Sequence, residues 1–132
     1  MDRVIVIPVT ELSSATYTRA RGDEAFNALI ERVRGIGDEA SAVLIDISSA
    51  KMLSGSFLDE LILRLSRRTE RRPDIGFRVG SPEEISRLER VCSVRQVACI
   101  YQLGTDAHLR KTHIRRRTDM KVEDHPGSFF ES

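Results

Sequence analysis

The fold is decided by the stretch 42–65, which reads AVLIDISSAKMLSGSFLDELILRL. Its first six residues are apolar and rich in β-branched side chains except at Asp46, a pattern typical of a strand covered on both faces. A serine-rich loop follows, and apolar residues then recur at helical spacing from Phe57 to Leu65. The stretch therefore predicts a buried strand, a short loop and an amphipathic helix that ends no later than Pro73.

The same alternation of strand and helix extends to both sides of this stretch. Further strands are predicted at 4–9, 75–79 and 97–103, and further helices at 23–33, 81–92 and 106–117. The helix at 81–92 has the clearest start, with Ser81, Pro82 and Glu84 in the order of a capping box. Gly76 and Arg78 interrupt the third strand, which predicts a less covered face near a sheet edge. The order βαβαβαβα indicates an α/β fold with a mainly parallel sheet of four to five strands and about four helices.

Length and composition fit one soluble domain. The chain has 132 residues, a formal net charge of +1 and 40% hydrophobic residues, and no apolar run approaches the roughly 20 residues that span a bilayer. We expect a domain at 1–118 and an acidic tail at 119–132 that carries four carboxylates and one lysine. The start of the chain lacks a secretory pattern, so we expect a cytoplasmic protein. Cys92 and Cys99 stand in apolar surroundings, which favours reduced core thiols.

The segment 44–61 resembles the strand, loop and helix at the centre of STAS domains, which include bacterial anti-sigma-factor antagonists. Within it, the residues SFLDEL at 56–61 are similar to a bacterial STAS-like family with a Ser-Ser-Phe-Leu-(Asp/Glu)-Glu motif. The serine-proline helix opening at Ser81 and the strand that follows are also similar to those of the antagonists. The resemblance covers about residues 4 to 115 and implies a STAS-like fold that acts by reversible protein binding.

The resemblance further implies which residues meet a partner. In an ungapped alignment Gly55 stands where partner-switching proteins have their phosphorylated serine, and Ser54 and Ser56 flank that position. The implied partner is a histidine-kinase-like ATPase or an anti-sigma-type regulator. The expected docking surface lies at 54–60 together with the end of the preceding strand, and it comprises Asp46, Ser54, Gly55, Ser56, Phe57, Asp59 and Glu60.

Each of these residues also has a simpler interpretation. Ser54 and Ser56 are either helix caps or candidate phosphorylation sites, since both roles need a hydroxyl at a helix start. Asp59 and Glu60 either favour the positive end of the helix dipole or recognise a partner. Asp46 either organises the loop by hydrogen bonds or contacts a ligand at the carboxyl end of its strand.

Two clusters of cations suggest other functions. Arg19 and Arg21 precede the first helix and could bind a small anionic ligand, although no phosphate-binding loop accompanies them. The basic segment 110–117 of the predicted helix at 106–117 could contact nucleic acid, but it lacks aromatic side chains for base stacking. Its cations are Arg110, Lys111, Arg115, Arg116 and Arg117.

Catalytic and metal-binding patterns are weak throughout the sequence. His108 and His113 are five positions apart, a spacing that does not place two ligands on one helical face. Nucleophile elbows and glycine-rich dinucleotide loops are not found. We therefore expect a non-enzymatic protein without a metal or cofactor.

Overall fold

The computed structural model describes residues 3–70 and 72–115. Their main elements follow the predicted order of alternating strands and helices as far as the fourth strand, with two short 3-10 turns after the first strand and the first helix. The strands are β1 (Val4–Pro8), β2 (Ala42–Asp46), β3 (Asp74–Val79), β4 (Ile100–Leu103) and β5 (Arg110–Lys111). The helices are α1 (Arg19–Ile36), α2 (Gly55–Ser66) and α3 (Pro82–Arg95).

The five strands form one sheet in the order β1-β2-β3-β4-β5. The first four run parallel, and β5 is antiparallel to β4. The prediction of an α/β fold with a mainly parallel sheet is confirmed. Every residue of β2 apart from Asp46 is buried, as expected for a strand covered on both faces.

The expected position of β3 near an edge is wrong, because β3 is the central strand. Gly76 interrupts its apolar pattern for a packing reason and not because one face is open. A Cβ atom at Gly76 would lie 2.3 Å from the carbonyl oxygen of Ile100, its partner in β4. Only glycine permits this close approach between the two strands.

Helix boundaries follow local capping signals. Ser81 accepts a hydrogen bond from the Glu84 amide at 3.3 Å, and the Glu84 carboxylate accepts one from the Gly80 amide at 2.6 Å. The predicted start of α3 is confirmed. In α1 the helix begins at Arg19, earlier than expected, because the Thr18 hydroxyl caps it by accepting from the Arg21 amide.

The predicted helix at 106–117 is wrong over its described part. Residues 110 and 111 form β5, which pairs with β4, and residues 112–115 are not helical. Buried Thr112 fixes the extended path, since its amide donates to the Cys99 carbonyl at 2.9 Å and its hydroxyl accepts from the Cys99 amide at 3.0 Å. The described chain thus has three α-helices instead of about four. Arg116, Arg117 and the predicted tail at 119–132 lie outside the described residues.

The core lies between the sheet and the helices, and α2 contributes more buried apolar side chains to it than either of the other two helices. Phe57, Leu58 and Leu61 of α2 are fully buried, as is Phe77 of β3. Helix α1 packs closely on α2 at Gly22, where a Cβ atom would lie 2.7 Å from the Phe57 carbonyl oxygen. This packing fixes the first turns of α2 over the carboxyl end of the sheet.

Candidate functional site

Two loops meet beyond the carboxyl ends of β1 and β2. The buried Thr16 hydroxyl donates to the Met52 carbonyl, and the Ser54 amide donates to the Thr16 carbonyl at 2.9 Å. Arg87 of α3 reaches the same place, where its Nη1 donates to the Leu53 carbonyl at 2.7 Å. Backbone contacts therefore hold residues 52–54 against both the loop before α1 and helix α3.

An open depression of about 300 Å³ lies at this junction. Two large apolar side chains at its rim are exposed to solvent, Tyr17 by 57% and Met52 by 68%. Two cationic side chains share the lining, and it contains no acidic residue. The lining residues are Tyr17, Lys51, Met52, Leu53, Ser54 and Arg87. Exposed apolar side chains beside cations are typical of surfaces that bind other molecules.

The predicted site residues at the start of α2 occupy three different environments. Ser54 is partly buried and caps the helix, since its Oγ accepts from the Phe57 amide at 3.1 Å. Gly55 and Ser56 are exposed, whereas the Phe57 side chain is fully buried in the core. Phe57 thus supports the surface from beneath, and a partner could touch only its exposed neighbours.

Replacing Ser54 with alanine is expected to lower the free energy of unfolding by about 1 kcal/mol, because the Phe57 amide loses its acceptor. Ser56→Ala, two positions away on the exposed side, should change it by less than about 0.5 kcal/mol. Urea unfolding followed by circular dichroism measures both values. Equal effects of the two substitutions would contradict the capping role of Ser54.

Asp46 organises the loop that follows β2. Its Oδ1 accepts from the Ser48 amide at 3.0 Å and also from the Ser48 hydroxyl, and its carbonyl accepts from the Ser49 hydroxyl at 2.9 Å. These are the local hydrogen bonds that a short acidic side chain forms in turns. Of the two interpretations of Asp46, the geometry favours loop organisation.

Asp59 and Glu60 join an ion-pair network between the helices. Asp59 receives two hydrogen bonds from Arg95 of α3, at 2.7 and 2.6 Å, and one from Arg19 of α1 at 2.7 Å. Glu60 accepts from Arg64 at 2.9 Å and lies 3.6 Å from Arg19. The hydrogen bonds from Arg95 lower the pKa of Asp59 most. Burial opposes this shift, and the hydrogen bond from Arg19 adds a smaller lowering.

The two cations considered for anion binding are both paired with carboxylates. Arg19 contacts Asp59 and Glu60, and Arg21 donates to Glu24 at 2.9 Å. The pKa of Glu24 is lowered by this hydrogen bond and by a second one from the Ser13 hydroxyl. An anion would have to displace these carboxylates, so the geometry gives no support to a ligand site at Arg19 and Arg21.

Sequence patterns missed Tyr17 and Arg87 as members of the depression. Both lie far along the chain from 51–54, and hydrogen bonds from Thr16, which precedes Tyr17, and from Arg87 of α3 bring them to this loop. Thr16 is buried through these contacts, which local sequence patterns do not reveal.

Neither a metal-binding cluster nor a membrane-spanning helix occurs in the described ranges. Within 3–70 and 72–115, no three His, Cys, Asp or Glu side chains come together in a way that could hold a metal ion. None of the helices there combines the length and the apolar character that crossing a bilayer requires.

Compared with models of protein families, with curated proteins and with solved structures, the chain gives no match.

Proposed function

We propose that this chain is a STAS-like, non-enzymatic regulatory module of the cytoplasm that binds a protein partner at the depression beside the start of α2. The observation that carries the proposal is the exposure of Tyr17 and Met52 next to Lys51 and Arg87, with no acidic residue in the lining. Apolar anchors of this kind supply most of the binding energy of protein interfaces, and cations select an acidic partner surface.

The identity of the partner rests on the resemblance to anti-sigma-factor antagonists. It points to a histidine-kinase-like ATPase or an anti-sigma-type regulator whose docking surface is acidic. The contact surface consists of the exposed loop residues and of Gly55 and Ser56, which are exposed at the start of α2. Asp59 and Glu60 contribute by fixing α2, since both carboxylates are occupied by arginines.

Phosphorylation of Ser56 would regulate this binding. Ser56 is exposed on the first turn of α2, whereas the Ser54 hydroxyl is engaged as the helix cap. A phosphoryl group at Ser56 adds about −1.5 to −2 charge beside the depression. It would repel an acidic partner surface and partly neutralise the field of Lys51 and Arg87, so it should weaken the complex.

The experiment captures partners from the native cells with the tagged full-length chain and with two matched variants. Met52→Glu places a charge on the rim, whereas Val4→Glu alters a side chain that is 41% exposed at the opposite end of the sheet. With the purified partner, Met52→Glu should raise Kd at least about tenfold and Val4→Glu should leave it unchanged. Ser56→Glu should raise Kd about threefold or more, and added salt should reduce this difference.

Three outcomes would reject the proposal. The first is capture of no ATPase-like or anti-sigma-type protein by the unaltered chain. In the second, Met52→Glu and Val4→Glu bind the partner equally well. In the third, Kd does not respond to Ser56→Glu or to salt, which would remove the electrostatic part of the argument.

A further inference from the structure

The two cysteines of the chain lie next to each other in the fold. Cys92 is in the last turns of α3, and Cys99 directly precedes β4. Their sulfur atoms are 3.3 Å apart although the residues are seven positions apart in sequence. The bend between them is tight, because Gln96 ends α3 with φ 54° and the Val97 amide donates to the Cys92 carbonyl at 3.0 Å.

The surroundings hold both sulfur atoms in place. Cys92 is fully buried, and Cys99 is partly exposed. Thr112 fixes the backbone of Cys99 through both its amide and its hydroxyl. The hydrogen bond with the Cys99 thiol lowers the pKa of Cys92 most, and one with the Thr112 hydroxyl adds to the effect, against an opposing effect of burial. The hydrogen bond with Cys92 and burial raise the pKa of Cys99, so Cys92 is the thiol that becomes a thiolate more readily. A thiolate is the form of cysteine that attacks an oxidised sulfur.

We propose that Cys92 and Cys99 form a reversible intramolecular disulfide when a peroxide oxidises the chain. Hydrogen peroxide reaches the partly exposed Cys99, transfers one oxygen to its sulfur to give a sulfenic acid, and leaves as water. The sulfur of Cys92 then attacks the sulfur of Cys99, and the hydroxyl of the sulfenic acid departs as a second water after taking up a proton. Two thiols and one peroxide thereby give one disulfide and two waters.

The geometry favours this reaction over other fates of the sulfenic acid. The resolving sulfur is already in contact with Cys99, so the disulfide requires the two atoms to approach by only about 1.2 Å to reach bonding distance. Access to solvent, and not thiolate character, makes Cys99 the sulfur that the peroxide reaches, because Cys92 is fully buried whereas Cys99 is partly exposed. The bond would link the end of α3 covalently to the residue before β4. Arg95, which donates hydrogen bonds to Asp59, lies within the segment that the disulfide closes. The inference does not depend on the proposed protein binding.

The test treats the reduced, purified full-length chain with a small molar excess of hydrogen peroxide and follows intact mass and free thiols. We expect a monomer that is lighter by about 2 Da, has lost both thiols and recovers them with dithiothreitol. Peptide mapping should join the segments that contain Cys92 and Cys99. Cys92→Ser should stop at a sulfenic acid on Cys99 that dimedone traps, and Cys99→Ser should keep its single thiol.

The wild-type measurement decides the matter even if a variant fails to fold. A monomer that keeps both thiols under these conditions would overturn the proposal. So would a chain that gains oxygen atoms without an internal link, or one that forms bonds only between two chains.

Discussion

Gly76→Ala is expected to lower the free energy of unfolding by about 3 kcal/mol, although alanine is ordinarily the better strand residue of the two. The new Cβ atom would lie 2.3 Å from both the carbonyl oxygen and the Cγ1 atom of Ile100. Gly76 and Ile100 are register partners in the middle of the sheet, so the clash separates β3 from β4. Urea unfolding of the variant and the wild type measures the difference.

Two further variants identify the cause of that loss. Gly35→Ala in α1 adds a Cβ atom with nothing within 4 Å, and it should raise stability by about 0.5–1 kcal/mol. Gly76→Ala combined with Ile100→Ala removes the contact with Cγ1 but leaves the contact with the carbonyl oxygen. The double variant should therefore remain at least as unstable as Gly76→Ala, and recovery of wild-type stability would contradict a backbone clash.

The same glycine illustrates where sequence patterns mislead. The alternation of apolar residues with Gly76 and Arg78 resembles a strand with one open face. In the structure Gly76 is buried, and the Arg78 guanidinium pairs across strands, donating to the Gln102 side chain at 2.9 Å. The short distance between the backbones of β3 and β4 leaves no pattern in the local sequence, so the sequence predicts an edge strand where the structure has a central one.

Predictions based on short-range chemistry succeeded. The serine caps at Ser54 and Ser81 involve residues three positions apart, and the structure has both. The buried strand β2 could also be predicted, because a continuous apolar run excludes an open face. The prediction of a helix was wrong for residues 106–115, because only Leu109 and Ile114 indicated an apolar helical face. Hydrogen bonding of residues 110 and 111 to β4 outweighs so weak a preference for helix.

In the candidate site, too, the sequence reveals the residues with local roles and misses those that distant contacts bring in. Its serines at the start of α2 could be found from the sequence, since a helix start needs hydroxyl caps. Tyr17 and Arg87 could not, because hydrogen bonds between residues distant along the chain bring them to the depression, from Thr16 to Met52 and from Arg87 to Leu53. The sequence identifies Asp59 as a candidate but does not reveal its ion pairs. Its partners, Arg19 and Arg95, lie about forty positions away on either side.

Asp59→Asn is expected to cost about 2 kcal/mol at pH 7, because it weakens three charge-assisted hydrogen bonds that join α2 to α1 and α3. The Asp59 side chain is only 14% exposed, so the arginines lose a carboxylate that solvent replaces poorly. The matched control is Glu31→Gln, whose carboxylate pairs with Arg34 on an exposed helix face. This control should cost less than about 0.5 kcal/mol.

The loss should depend on pH in a defined direction. The folded state lowers the pKa of Asp59 below its ordinary value of 3.8, so the folded chain releases this proton more readily than the unfolded chain. The stabilising contribution is complete above the unfolded pKa and is lost as pH falls through the folded pKa. The difference in unfolding free energy between wild type and Asp59→Asn should therefore be constant from pH 7 to about pH 5 and shrink below pH 4.

Urea titrations of both chains between pH 7 and pH 3 measure that difference directly, since every other titrating group is common to the two. A difference that stays the same across the whole range would contradict the ion-pair assignment.

Binding offers a second criterion, because Asp59 fixes α2 from within and does not line the depression. At temperatures where both chains are folded, Asp59→Asn should bind the protein partner with nearly the wild-type Kd, whereas Met52→Glu should not. A large loss of affinity without a loss of stability would instead make Asp59 a direct contact.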